Sequence, residues 1–322
     1  SSLATAATLG RVALPEMLDR GYSPTLATGC VAAGGTLGML IPPSVIMVIY
    51  AFLAEQFVIT MFVAALIPGL IAVLAHFITI GILVRRNPES GPAGPRMSWS
   101  ERLDILKGSW GVLLLLFTVI GGIYGGVFTV NEAAALGAGL AFMFTVARRK
   151  LTLASFRQIL SDTASNTAMI YLIISGASIF SSFITLTKMP DALVTAISAA
   201  DLSPLVVIFV LFAVYLVLGS IFDTIGAMVI TMPFVLPLIL DLGYHPIWWG
   251  IILVMVIEVG MITPPIGMNV FVLFGVADGI PLKTIFKGIF PFFYADLIRI
   301  TIIILFPALA LWLPGILGYN LN

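Results

Sequence analysis

Apolar residues run without interruption over membrane-spanning lengths at roughly 60–84, 108–128, 131–147, 165–187 and 289–313. A hydrocarbon core about 30 Å thick needs about 20 such residues as helix. In lipid every backbone N–H and C=O must be satisfied within the segment, which a helix achieves. Strands of a membrane barrel would alternate over about ten residues, and these runs are longer and continuous. The pattern predicts an all-α polytopic membrane protein. Its interruptions are as informative as its runs. GMLIPP at Gly38–Pro43 returns as GMITPP at Gly260–Pro265, 222 positions later. The same offset carries Pro15 onto Pro237, and DRGYSP (Asp19–Pro24) onto DLGYHP (Asp241–Pro246). Three blocks in one register predict an internal repeat, and matching Gly/Pro-broken apolar segments are the best sequence pointer to a secondary transporter's binding site.

Each copy reads as a re-entrant hairpin followed by a broken helix. In the second copy residues 204–221 form one arm, Gly219–Gly226 the polar tip and 227–240 the returning arm. Residues 247–261 and 266–277 are then two half-helices around Thr263, Pro264 and Pro265. In the first copy the tip is Ser1–Thr5, and the broken helix is 26–54, interrupted near Pro42, Pro43 and Ser44. In the repeat register Ser1 falls opposite Asp223, so a first hairpin arm is expected to precede this numbering. Proline removes an N–H and clashes with the preceding turn, and Gly38 and Gly260 permit unusual backbone angles four residues earlier. Such a break frees carbonyls that can hold a cation, while half-helix N-termini face anions. Thr5, Pro42, Pro43, Ser44, Pro264 and Pro265 therefore mark the expected substrate region.

Charge adds orientation. Arg85, Arg86, Arg96, Arg102 and Lys107 form one basic loop; Arg148, Arg149, Lys150 and Arg157 a second; Lys283 and Lys287 a third. Loops rich in Lys and Arg stay on the cytoplasmic side, which places 188–203 and 241–246 outside. Arg20 falls inside while its repeat partner Leu242 falls outside, so the two copies have opposite topology.

Charged residues are only 9% of the chain and apolar residues 60%, which excludes an ordinary soluble domain. A net charge of zero offers no basic surface for nucleic acid. The single Cys30 excludes a disulfide framework, and no Cys/His cluster suggests a metal centre. No phosphate-binding G-x-x-x-x-G-K-[ST] loop and no H-E-x-x-H motif is present, which argues against an ATP-driven engine and an intramembrane enzyme. Asp223 and Glu258 lie in apolar stretches, where an ionisable group costs at least about 2.5 kcal/mol and suggests function. Asp223 at a hairpin tip points to ion or substrate contact, and Glu258 equally to function or to accepting N–H groups of a hairpin. Asn269, one turn beyond the second break, suits ligation or capping. Arg299 is expected to snorkel or to pair with Asp296, Glu132 to sit near a helix start, and His76 and His245 to be packed or interfacial.

Ser1–Met17, Gly34–Gln56, Phe222–Ile239 and Glu258–Val272, with VNEAAALGAG from Val130, resemble the large membrane subunit of TRAP (tripartite ATP-independent periplasmic) transporters, the DctM-type permease. The resemblance covers essentially the whole chain. It implies a multi-pass protein of the bacterial inner membrane, a sodium-driven importer of organic acids such as C4-dicarboxylates or sialic acids. It further implies an elevator-type mechanism with two partners, a periplasmic substrate-binding protein and a small membrane subunit. By the same resemblance, a first sodium site involves Ser1, Ser2, Gly35, Thr36 and Gly38, and a second involves Asp223, Thr224, Gly226, Gly260, Thr263 and Asn269. The expected organisation is a first transport part at 1–56, scaffold helices at 57–200, a second transport part at 201–280, and an amphipathic segment with a transmembrane helix at 281–322. A stand-alone sodium/dicarboxylate carrier of related inverted-hairpin architecture is the alternative.

Overall fold

A computed structural model describes residues 2–94, 97–277 and 279–319. Among the described residues there are fifteen α-helices and one short 3₁₀ turn, Pro88–Ser90, with no strand. Six helices are long and apolar enough to cross a membrane, or up to eight counting two bent pairs. The protein is therefore a multi-pass, all-helical membrane protein. It divides into two compact units, residues 1–93 with 177–322, and residues 94–176.

The larger unit begins with α1 (Ser2–Asp19) and α2 (Pro24–Leu40), a break at 41–44, then α3 (Val45–Leu53) and α4 (Val58–Arg86). It resumes with the end of α8 (Leu153–Leu186), followed by α9 (Met189–Ala199), α10 (Pro204–Ile221), α11 (Thr224–Asp241) and α12 (Pro246–Gly260). It closes with α13 (Met268–Phe274), α14 (Leu282–Leu305) and α15 (Ala308–Ile316). Apart from Glu258, helix α12 is apolar on every side, and Ile247 through Gly260 are all buried, as expected for a helix at the centre of a bundle. It packs against α2, α3, α4, α10, α11, α14 and α15. Trp248 donates its indole N–H to Ile303 O at 3.1 Å, and Tyr50 its hydroxyl to Pro246 O at 2.6 Å.

The two six-residue blocks 222 positions apart have the same backbone. Gly21 and Gly243 take φ of 81° and 78°, the left-handed conformation that glycine supplies at a helix C-terminus. The following N–H groups, Tyr22 to Met17 O at 3.0 Å and Tyr244 to Ile239 O at 3.1 Å, close the same turn. Ser23 and His245 then cap the next helices through Leu26 N–H and Ile247 N–H, each followed by proline at the first helical position.

The smaller unit holds α5 (Trp99–Gly108), α6 (Trp110–Tyr124), α7 (Val130–Ala147) and the start of α8. Helices α5 and α6 meet at a 70° bend. Capping boxes start α5 (Ser98 with Glu101) and α7 (Thr129 with Glu132), each satisfying two otherwise orphan N–H groups. Glu132 thus sits at the expected helix start. Two local expectations shift. The basic loop at 85–107 contains the helix α5, and the segment 188–203 contains α9. The last apolar run, 289–313, is not one helix. It stops at Leu305 because Pro307 disfavours helical angles at Phe306, which adopts φ −126°, ψ 76°.

Candidate functional site

Both Pro-Pro sequences interrupt helices where expected. Helix α2 ends at Leu40 and α3 restarts at Val45 with a 41° bend; α12 ends at Gly260 and α13 restarts at Met268. Both bonds, Pro42–Pro43 and Pro264–Pro265, are cis. Pro42 and Ser44 are buried, whereas Pro43, Pro264 and Pro265 are exposed. Ser44 caps α3 by accepting from Met47 N–H at 3.4 Å. Ending α2 at Leu40 leaves its last-turn carbonyls without intrahelical donors. The second break is more self-contained. Gly260 O accepts from Thr263 N–H at 2.8 Å and Met261 O from Asn269 N–H at 3.0 Å, while Thr263 donates its hydroxyl to Val259 O at 2.6 Å.

Glycines let the neighbouring helices approach these breaks. A Cβ at Gly260 would lie 2.7 Å from Gly219 Cα, and one at Gly219 2.9 Å from Ile257 Cα, so α10 and α12 cross backbone to backbone. Across α2, a Cβ at Gly35 would come 3.2 Å from Ala6 Cβ, and one at Gly38 3.2 Å from Thr5 Oγ1. The polar end of α1 is thereby held against α2. Residues 2–5, read as a hairpin tip, form the first turn of α1, and Ser1 lies outside the described residues.

The residues expected at two separate ion sites are partly joined. Asn269 Nδ2 donates to Ser2 Oγ, linking α13 to the start of α1, and both side chains are buried. Asn269 Oδ1, equally buried, has no hydrogen-bond partner. Thr36 is buried on α2 and donates to Ala33 O at 2.7 Å. Thr224 is buried at the start of α11, and its hydroxyl reaches the Met261 sulfur at 3.0 Å. Gly267 N–H reaches Ser220 O at 3.2 Å, tying the second break to the end of α10. Asp223 stands apart: it is exposed and caps α11 by accepting from Ile225 N–H at 3.1 Å. Gly226 faces open space. Among the described residues no group of three or more His, Cys, Asp or Glu could hold a metal ion. A cation here would depend on amide, hydroxyl and carbonyl oxygens.

The sequence reading missed the reach of a second polar cluster. Asp296 Oδ1 on α14 accepts from Arg299 Nη2 at 2.8 Å and Nε at 3.0 Å, the pairing and not the snorkelling of the two expected alternatives, and also from His76 Nε2 on α4 at 3.1 Å. Asp296 and Arg299 are 0% and 2% exposed. Glu258 is buried on α12, and its Oε1 has no hydrogen-bond partner. His76 also packs edge-on against Phe292 at 5.4 Å between ring centroids.

Comparison with known proteins places this chain in a family. The model of "Tripartite ATP-independent periplasmic transporter, DctM component" matches residues 1–309. The chain is 36% identical to a C4-dicarboxylate TRAP transporter large permease from Pseudomonas aeruginosa, over 99% of this chain and 74% of that protein. It is 31% identical to a sialic acid TRAP transporter large permease from Vibrio cholerae, over 99% of this chain and 75% of the relative. An ectoine/5-hydroxyectoine TRAP transporter large permease from Ruegeria pomeroyi is 29% identical over 97% of this chain and 73% of its own length.

Proposed function

The chain belongs to the DctM component family of tripartite ATP-independent periplasmic transporters, and from that premise we propose that it is the large subunit of a sodium-coupled importer of organic acid anions. The family is one of transporters and not of enzymes. The cargoes named for the relatives above (C4-dicarboxylate, sialic acid, ectoine) share at least one carboxylate, which supports an organic acid as the substrate class. The family's tripartite description supports a periplasmic binding protein and a small membrane subunit as partners, and hence a bacterial inner membrane as the location.

The observation that carries the ionic part of this reading is the join between the two halves. Asn269, beside the second break, bonds Ser2 at the start of α1 and keeps a buried amide oxygen unpartnered. An amide oxygen, the hydroxyls of Ser2, Thr36 and Thr224, and carbonyls near helix breaks suit a hard monovalent cation. In this proposal Ser2, Gly35, Thr36 and Gly38 serve one sodium ion, and Thr224, Gly260, Thr263 and Asn269 another. Bound sodium would couple uptake to the ion gradient, each charge crossing 100 mV contributing about 2.3 kcal/mol. The chain's own contribution is to hold the oxygens and keep α10 close to α12. The repeat of break, glycine turn and capped helix supports inverted halves that move together as an elevator. In that movement residues 1–56 and 201–280 would travel against scaffold helices within 57–200.

The test is uptake into proteoliposomes containing the full-length large subunit and the small subunit, with and without binding protein and an inward sodium gradient, over a panel of organic acids. Uptake requiring both supports the proposal. Uptake independent of the binding protein would instead indicate a stand-alone carrier, and uptake indifferent to sodium would remove the coupling.

A further inference from the structure

The smaller unit contains a groove of about 310 Å³ between α6 and α7. Its walls are apolar, with Gly111 and Leu115 from α6 facing Phe144 and Thr145 from α7, and Arg148 and Lys150 stand at its edge. Gly111 faces both walls of this edge: a Cβ there would stand in ordinary van der Waals contact with the Phe144 ring at 3.7 Å and with Arg148 Nη2 at 3.9 Å, so a larger side chain would reach into the groove. The Phe144 ring is fixed from the other side by Trp110, edge-on at 5.5 Å between centroids. The end of α7 also positions charge. Arg149 occupies the left-handed position, φ 52°, where glycine is usual. Its N–H bonds Val146 O at 2.9 Å, and Lys150 N–H bonds Thr145 O at 3.1 Å, folding the chain back so that Lys150 joins Arg148 at the groove. Among the described residues neither cation has an ion-pair partner. By contrast Lys107 on α5 pairs with Asp104, and Arg102 lies over the Trp99 ring.

The groove's charged edge follows the end of α7, an apolar helix long enough to cross a membrane, which puts it at the level of a membrane–water boundary. Helix α5 is bent 70° from the apolar α6 and exposes Trp99, Leu103 and Leu106 together with charged residues, as a helix lying in the interface does. Trp110, 57% exposed at the start of α6, suits the same level. An apolar slot reaching inward from that boundary, with two unpaired cations at its edge, complements a molecule with a hydrocarbon chain and an anionic headgroup. We propose that the α6–α7 groove binds one anionic phospholipid, an acyl chain lying along Gly111, Leu115 and Phe144 and the phosphate held by Arg148 and Lys150.

The test is native mass spectrometry of the full-length large subunit released from membranes of equal phosphatidylglycerol and phosphatidylcholine content. The expected result is one retained phosphatidylglycerol in preference to phosphatidylcholine, a comparison that needs no variant. The pair Arg148→Gln with Lys150→Gln should weaken retention roughly 30-fold, two interfacial cations being removed. Gly111→Leu, which fills the slot and leaves both cations, should displace the lipid as well. Inorganic phosphate at millimolar concentration should not compete, because it lacks the chain. Equal retention of both lipids by the wild type, full retention in the double variant, or displacement by phosphate alone would each overturn the proposal.

Discussion

Replacing Asp296 by alanine removes the anion to which Arg299 and His76 are both bonded. The structure sets the size of the effect. Asp296 accepts two hydrogen bonds from Arg299, at 2.8 and 3.0 Å, and one from His76 at 3.1 Å, and neither Asp296 nor Arg299 is accessible to solvent beyond 2%. Breaking a buried pair from one side leaves the other charge uncompensated, at a cost of about 3–5 kcal/mol. Replacing both partners by apolar residues of similar volume is often neutral. Asp296→Ala should therefore lower the unfolding free energy of the full-length protein by about 3–5 kcal/mol, and Arg299→Met by a similar amount. The double variant Asp296→Ala with Arg299→Met should cost clearly less than the sum of the two single losses. Steric trapping in bilayer discs measures all three. Single losses below about 1 kcal/mol, or strictly additive ones, would refute the idea that this cluster is a tight internal ion pair.

Other outcomes follow from the same coordinates. Gly21→Ala and Gly243→Ala should each destabilise by about 1–2 kcal/mol and by nearly equal amounts, because both sit at left-handed φ with no side chain within 3.4 Å to add a clash; chemical unfolding of the two variants compares them directly. Gly260→Val should cost about 1–3 kcal/mol through overpacking against Gly219 and Leu216 O, read as a lower midpoint in thermal unfolding. Asn269→Ala should raise the sodium concentration for half-maximal uptake at least tenfold while leaving the helical circular dichroism unchanged. Asp223→Asn should change uptake less than Asn269→Ala, since Asp223 caps α11 from an exposed position.

Much of this fold was legible because membrane segments are selected by local composition. The apolar runs, the two Pro-Pro breaks and the glycine turns at Gly21 and Gly243 are all local consequences of residue type. The Arg299–Asp296 pairing was legible for the same reason, lying one helical turn apart. The signal for α5 was also present, as Ser98 followed by Glu101, but the density of charge from Arg96 to Lys107 reads as loop. The stop before Pro307 was hidden inside a continuous apolar run. What sequence cannot supply is contact across the chain. Asn269 and Ser2 are 267 positions apart and His76 and Asp296 are 220, and only the packing of α1 on α13 and of α4 on α14 brings the pairs together. Asp223 shows a different limit: a carboxylate in an apolar stretch suggests ion or substrate contact, and only the structure adds that it caps α11 from an exposed position.

The central claim is that oxygens beside the helix breaks and at the start of α1 couple sodium to substrate. Its most direct test measures radiolabelled sodium and radiolabelled organic acid entering the same proteoliposomes, with wild-type and Asn269→Ala large subunits assembled with their partners. A fixed number of sodium ions per substrate in the wild type, lost or reduced in Asn269→Ala, is the predicted result. Substrate entry without accompanying sodium in the wild type, or an unchanged ratio and sodium affinity in the variant, would contradict it.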